Sequence, residues 1–325
     1  MTSHDRREQT TTATSPGRLL IAIGTALAAV GVVAPPGPAS ATEPRPVAVS
    51  RAVADPPQGA YWHTRTLWTA TYPWKLGKGP NRYHVEVRRL SEDWTTPGGK
   101  SWFGYRELAT RPKSAADERA WRRDGSPARW SRTADGRKAS LSTLPDKGSV
   151  GPTKGVADVF YLAGQQLSYE ELQRLPADPA GLKDWIEKAV RVRKADPTAD
   201  IPEDAVDGHV TGTLISMLHE VPVPKNVRVA AYRALPTRPG VHVRGKAKDA
   251  LGRTGERLSF DHANGRGNKG TKLETEVIVD TGTMLLLARG AKTTIDGRPF
   301  LHKTSTTTVL HVGWTDSPPS APALP

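Results

Sequence analysis

Cysteine is absent from the 325 residues of this chain. This absence excludes a disulfide-stapled scaffold, an iron–sulfur centre, a thiolate zinc site, a cysteine nucleophile and a Cys-anchored lipoprotein. The fold must therefore be stabilised by its apolar core, which is feasible at this length because disulfides matter mainly for small domains. Hydrophobic residues make up 37% and charged residues 24%. These shares fit a globular chain and exclude a polytopic membrane protein.

Long apolar runs are also scarce, and residues 19–34 form the notable one. A helix of this length reaches roughly 24 Å at 1.5 Å per residue, short of a hydrocarbon core roughly 30 Å thick. Arginines precede the run, and prolines and the small residues Ala39-Ser40-Ala41 follow it. We predict a secretory signal peptide at residues 1–41, with an uncleaved anchor as the alternative. Both place the folded part outside the cytoplasm, secreted or anchored on the extracytoplasmic face of the cytoplasmic membrane.

Catalytic and cofactor motifs are missing as well. The sequence contains no P-loop, no G-x-S-x-G elbow and no H-E-x-x-H. GRGNKG at residues 265–270 matches the dinucleotide fingerprint by letter. The alternating pattern after it predicts a strand where the fingerprint needs a helix, so we expect a hairpin loop there. We predict no catalytic residue, no metal site and no cofactor, although a pair of carboxylates leaves no sequence signature.

The mature chain changes its hydrophobic period twice. Apolar residues alternate in the first and last parts, as in half-buried antiparallel strands, and follow helical spacing between them. Ser168 with Glu171 forms a capping box, and Asp178 with Pro179 marks a second helix start. The predicted organisation is a Pro-containing linker (42–58), a single domain (59–316) with strands (61–144), helices (166–235) and strands (241–314), and a disordered Pro-rich tail (317–325).

Strands, a helical insert and further strands, without βαβ alternation, predict an α+β fold. We expect a curved antiparallel β-sheet, open and half-barrel-like, with the helical insert covering one face. The two groups of strands are predicted to share this sheet.

Tryptophan is concentrated, since seven of nine lie between Trp62 and Trp130. These rings either fill a core that lacks disulfides or line an apolar cavity or groove for an acyl chain or apolar peptide, or form a platform for sugars. The candidate ligand-binding residues are Trp62, Trp68, Tyr72, Trp74, Tyr83 and Trp102.

Basic residues exceed acidic ones, giving a net charge of +13. Residues 61–138 contain 17 basic and 8 acidic side chains. Solvated strand faces explain this excess, or else a weak attraction to phospholipid headgroups, wall polymers or acidic partner surfaces. Nucleic acid is not an expected partner. The alternation places four histidines on exposed strand faces: His63, His84, His242 and His311.

Five stretches of the chain are distinctive: LPADP (175–179), VRVAAYRALPTRP (227–239), GVHVRGKAKDALGRTGERLSFD (240–261), EVIVDTGTMLLL (276–287) and GWTD (313–316). They resemble an actinobacterial family of exported or membrane-anchored proteins of unknown function, for which no catalytic or binding residue is assigned. The order of strands, helices and strands, with IVDTGTMLL at residues 278–286, is also similar to that of bacterial lipoprotein carriers and the periplasmic regulator of sigma-E. That likeness implies an open half-barrel with helices on its concave side.

Together these features predict a monomeric, non-enzymatic binding protein of the cell envelope. Its expected partner is an apolar ligand or a membrane protein in envelope signalling. An envelope hydrolase with a dispersed active site and an electrostatic surface-adhesion protein are the alternatives.

Overall fold

The computed structural model describes residues 57–134, 137–153, 158–195, 201, 203–262, 271–300 and 304–325. The predicted signal peptide, most of the linker and the loop 265–270 lie outside the described residues. Within the described part of the chain, no helix is both long and apolar enough to cross a membrane.

Among the described residues, eleven strands form one antiparallel sheet, which does not close into a barrel. Five come from the first strand group: β1 (Tyr61–Thr71), β2 (Val85–Thr95), β3 (Ser101–Glu107), β4 (Arg111–Pro112) and β7 (Ser149–Pro152). Six come from the second: β10 (Val241–Lys248), β11 (Thr254–His262), β12 (Thr271–Asp280), β13 (Leu285–Ile295), β14 (Arg298–Pro299) and β15 (Ser305–Thr315). Their order is β10-β11-β12-β13-β15-β1-β2-β3-β7, with β4 beside β2 and β14 beside β13.

The helices lie between these groups in sequence, except the first. They are α1 (Ala115–Arg123), α2 (Tyr169–Gln173), α3 (Pro179–Lys194), α4 (Val206–Ser216) and α5 (Lys225–Ala234). Two small hairpins complete the fold: β5 (Arg129–Ala134) with β6 (Arg137–Ser142), and β8 (Phe160–Leu162) with β9 (Gln165–Leu167).

The pairing of β1 with β15 joins the two strand groups. Trp62 lies opposite Trp314, and the register runs to Ala70 opposite Ser305 with one irregularity between Arg65 and Thr66. The structure thus confirms the α+β class and the single shared sheet.

The predicted helix starts are present. Ser168 accepts from the backbone N–H of Glu171, whose carboxylate accepts from the N–H of Ser168. Asp178 accepts from the N–H of Gly181 at 2.7 Å, with Pro179 as the first helical residue. Such caps satisfy backbone N–H groups that have no partner within the helix.

The largest hydrophobic cluster packs α2–α5 against one face of the sheet, which we call the helix face. Helix residues such as Ile186, Leu214 and Ala231 meet Leu258 and Val277 of the sheet there. A second cluster lies on the same face at the beginning of β2. It contains Tyr72, Leu76, Tyr83, Val85, Val87, Ala120 and Trp130.

The opposite side of the sheet, which we call the far face, carries the chain's C-terminal segment, residues 317–325. The sequence predicts a disordered tail here, and the structure describes these residues without helix or strand. The segment nevertheless lies against the sheet: Pro322 is buried, and the carbonyl of Ala323 accepts a hydrogen bond from Arg65 Nη2 at 2.6 Å.

Candidate functional site

The six aromatic candidates lie in three separate places. Trp62 borders the largest cluster, where its indole N–H donates to the carbonyl of His219 at 3.2 Å and its ring meets Trp314 edge-on. Trp102 lies on the far face, next to Tyr61. The remaining four belong to the second cluster or pack against it: Trp68, Tyr72, Trp74 and Tyr83. These four side chains contribute to an apolar core.

Polar side chains separate the two clusters on the helix face. Along β1 this face runs from Trp62 through Thr64 and Thr66 to Trp68, since alternate residues of a strand share a face. Cross-strand pairing extends the polar region onto the neighbouring strands. We call these residues the central strip: Arg89, Asp93, Tyr105, Glu107 and, from β13, Arg289.

One end of the central strip is an ordered charge network beside Trp68. The guanidinium carbon of Arg89 lies 4.8 Å from the centre of the Trp68 ring, and Arg89 Nε is 3.7 Å from Glu107 Oε1. The hydroxyl of Tyr105 donates to the same carboxylate oxygen at 3.1 Å. Burial and, more weakly, the negative charge of Glu107 raise the pKa of Tyr105. Tyr105 therefore stays protonated and can donate a hydrogen bond.

Asp93 lies opposite Thr64, four residues along β2 from Arg89, and its carboxyl group has a raised pKa. Its side chain is exposed, but protein replaces much of the water that would solvate its carboxylate. This desolvation, together with repulsion from Glu220 and Glu92, raises the pKa of Asp93 to about 7. The group therefore exchanges a proton near neutral pH, as acid–base groups of functional sites often do.

The chain following α4 places His219 and Glu220 over the strip. His219 Nε2 lies 3.4 Å from Glu220 Oε1, and burial lowers the pKa of His219 despite this neighbour. Burial also lowers the pKa of Arg289, while the charge of Glu220 opposes that effect. The Nε of Arg289 has no hydrogen-bond partner among the described residues. Charged groups of both signs thus face one partly desolvated region.

Two cavities adjoin the central strip. The larger, about 560 Å³, lies between the β5–β6 hairpin and the sheet and shares Glu107 with the strip. Its apolar lining comes from Val87, Leu108, Trp130, Leu141, Leu144 and Pro145. The smaller, about 260 Å³, lies beside α4 and shares Glu220 and Arg289 with the strip. The larger cavity falls within the ~300–1,000 Å³ range of small-molecule sites.

Sequence reasoning missed Asp93, Glu220 and Arg289 as a group. They are far apart in the chain and come together because β2 pairs with β1, β13 pairs with β15, and β1 and β15 pair with each other. A local signal was present, since Thr64, Thr66, Ser91 and Asp93 interrupt the apolar residues on what is otherwise a core-facing side.

Among the described residues, no three His, Asp or Glu side chains are placed to hold a metal ion. No family model matches the chain, and no curated protein matches it significantly. Fold and site define an α+β protein with an open antiparallel sheet and a charged strip between two hydrophobic clusters.

Proposed function

We propose that this is an extracytoplasmic binding protein of the cell envelope, which holds an amphipathic ligand with an acyl chain on the helix face of its sheet. The cavity of about 560 Å³ carries this proposal, because its apolar lining opens beside a charged strip. The apolar part of the ligand would lie against Leu141 and Leu144, and its polar head near Glu107 and Arg89.

Three further features support this assignment. The basic and apolar N-terminal segment is typical of an exported protein. The open antiparallel sheet with helices on one face is consistent with the resemblance to lipoprotein carriers. The positive net charge, +13, favours an anionic envelope surface as the place of action.

Ligand binding is tested with a dansyl-labelled fatty acid, whose fluorescence increases in an apolar site. Leu144 is 66% exposed at the cavity mouth, so Leu144→Asp places a charge there without emptying the core. We expect about tenfold weaker probe binding, as for the loss of a well-placed apolar contact in a binding site.

Leu251→Asp is the matched control, because Leu251 is similarly exposed, 54%, on the turn after β10 and outside the cavity lining. It should bind the probe as the native protein does. Native mass spectrometry of the purified protein should reveal a co-purified lipid. Equal affinity in all three proteins, or no binding at all, contradicts the proposed function.

A second candidate, an envelope hydrolase, is favoured by one observation. Asp93, with a pKa of about 7, and Glu220 are close enough to repel each other. One could hold a proton while the other is ionised, as acid–base catalysis requires. The test is hydrolysis of isolated cell-wall polymer. If Asp93→Asn abolishes this hydrolysis and Glu170→Gln, on the exposed side of α2, leaves it unchanged, the result favours this candidate. No turnover by the native protein rejects it.

A further inference from the structure

The far face of β1–β3 carries aromatic and charged side chains in two neighbouring rows. The register places His63, Trp94 and Trp102 in one row, and Arg65, Glu92 and Gly104 in the next. The sequence predicts His63 on an exposed face, but this prediction is wrong. Its side chain is only 15% exposed, and its ring stacks on Trp94 with centroids 4.7 Å apart.

Glu92 organises the second row. It is buried, and its carboxylate lies 2.8 Å from His63 Nε2 and 3.4 Å from Arg65 Nε. These contacts hold the guanidinium of Arg65 in place, so that its Nη2 donates to the carbonyl of Ala323 at 2.6 Å. A charged donor held in this way makes a stronger hydrogen bond than a neutral one.

Gly104 leaves the space in which Pro322 is seated. A Cβ atom at Gly104 would lie 3.0 Å from Trp94 Cζ3 and 3.2 Å from Pro322 Cδ. The pyrrolidine ring therefore lies over a glycine and beside a tryptophan ring. Proteins bind proline-rich segments in grooves lined by aromatic side chains. Here Trp94 provides the aromatic wall, Gly104 leaves space for the proline ring, and Arg65 donates to a backbone carbonyl of the segment.

We propose that the far face carries a recognition site for proline-rich segments, formed by Arg65, Trp94 and Gly104, and that the chain's own residues 317–325 occupy it. A proline-rich segment of another protein would compete with the C-terminal segment for this site. The site is separate from the central strip, which lies on the other face of the sheet. Its test is therefore independent of the proposed function.

The test uses the full chain and the synthetic peptide SPPSAPALP, which reproduces residues 317–325. Pro322→Ala in the protein weakens the internal competitor without touching the site. We expect the labelled peptide to bind this variant about tenfold more tightly than it binds the native chain, measured by fluorescence anisotropy.

Three further variants complete this test, and two of them, Pro318→Ala and Gly151→Ala, are matched controls. Pro318 is exposed, so Pro318→Ala should leave peptide binding as in the native chain. Adding Gly104→Ala to Pro322→Ala fills the seat and should abolish the gain. Adding Gly151→Ala instead, on the adjacent strand β7, should preserve the gain, because its Cβ would meet no atom within 4 Å.

A second measurement follows the segment inside the intact protein. The chain lacks cysteine, so Leu324→Cys at an exposed position accepts a single dye. Gly104→Ala should increase the mobility of this dye, and Gly151→Ala should not. Either of two results overturns the proposal. The first is equal peptide affinity for the native and the Pro322→Ala chains. The second is equal dye mobility in the Leu324→Cys chain with and without Gly104→Ala.

Discussion

At the residue scale, Asp93 shows how a strand position becomes chemically distinct. Its neighbours along β2 alternate normally, and the local sequence shows only that a polar residue occupies a position on the core-facing side. Its raised pKa arises from desolvation and from Glu220, which belongs to the helical layer. The pKa of Asp93 should therefore depend on the position of Glu220 and the helical layer relative to the sheet.

This dependence predicts the effect of pH on stability. The folded state keeps the Asp93 proton up to about pH 7, whereas an unfolded chain loses it near pH ~4. Stability attributable to this group is complete at low pH and falls as pH rises between these values. Asp93→Asn should match the native protein at pH 4 and exceed its unfolding free energy by about 1 kcal/mol at pH 8, a value reduced for solvent screening.

Urea unfolding at several pH values measures this difference. Glu220→Gln removes one source of the raised pKa, so in its background the gain from Asp93→Asn should be smaller. A gain that is the same at pH 4 and pH 8 would show that charge is not its cause.

At the element scale, local chemistry explains where the helices begin. The Asp178 carboxylate caps the first turn of α3, while Asp184 is exposed on the same helix. Asp178→Ala should lower the unfolding free energy by about 1 kcal/mol, because an N–H group at the helix start loses its acceptor. Asp184→Ala should change it by less than about 0.5 kcal/mol. Equal effects in urea unfolding would indicate that the cap does not stabilise the fold.

The same local signals explain how much of the fold could be predicted. Period-two alternation predicted β1 and β2, and the capping residues predicted α2 and α3, because these patterns depend on neighbours in the sequence. Within the predicted helical span (166–235), the residues before α4 form a 3₁₀ turn at Glu203–Ala205, which the helical spacing did not predict.

The central strip could not be predicted in this way. Its assembly requires the register of β1 against both β2 and β15, and the position of Glu220 over β2. The seat for Pro322 likewise depends on Gly104 meeting residues more than 200 positions away. Proline content alone predicted disorder for the C-terminal segment, since composition does not reveal a matching surface elsewhere in the chain.

At the scale of the whole molecule, one edge of the sheet carries features that oppose pairing with a further strand. β10 is one edge strand, and its pairing with β11 is interrupted at Gly245, whose φ is +76°. Lys246 and Lys248 follow on the same strand. A backbone irregularity and lysines both discourage the addition of a further strand from another molecule.

The central β1–β15 pair makes the two strand groups interdependent. A fragment of residues 57–153 retains β1–β3 but lacks both β15 and the helices that cover the helix face. We expect this fragment alone to show no cooperative unfolding by circular dichroism. Co-expression with residues 154–325 should restore a folded complex. Cooperative unfolding of the isolated fragment would contradict the interdependence of the two strand groups.

The β1–β15 pair also determines when the sheet can be completed during synthesis or export. When the polypeptide emerges from a ribosome or a translocation channel starting at its N-terminus, β1 cannot pair with β15 until the residues around Trp314 have emerged. About 250 residues separate Trp314 from its partner in β1, Trp62. During that interval the edge of β1 that later pairs with β15 stays unpaired. We expect holdase chaperones, which bind extended apolar segments, to bind β1 at this stage.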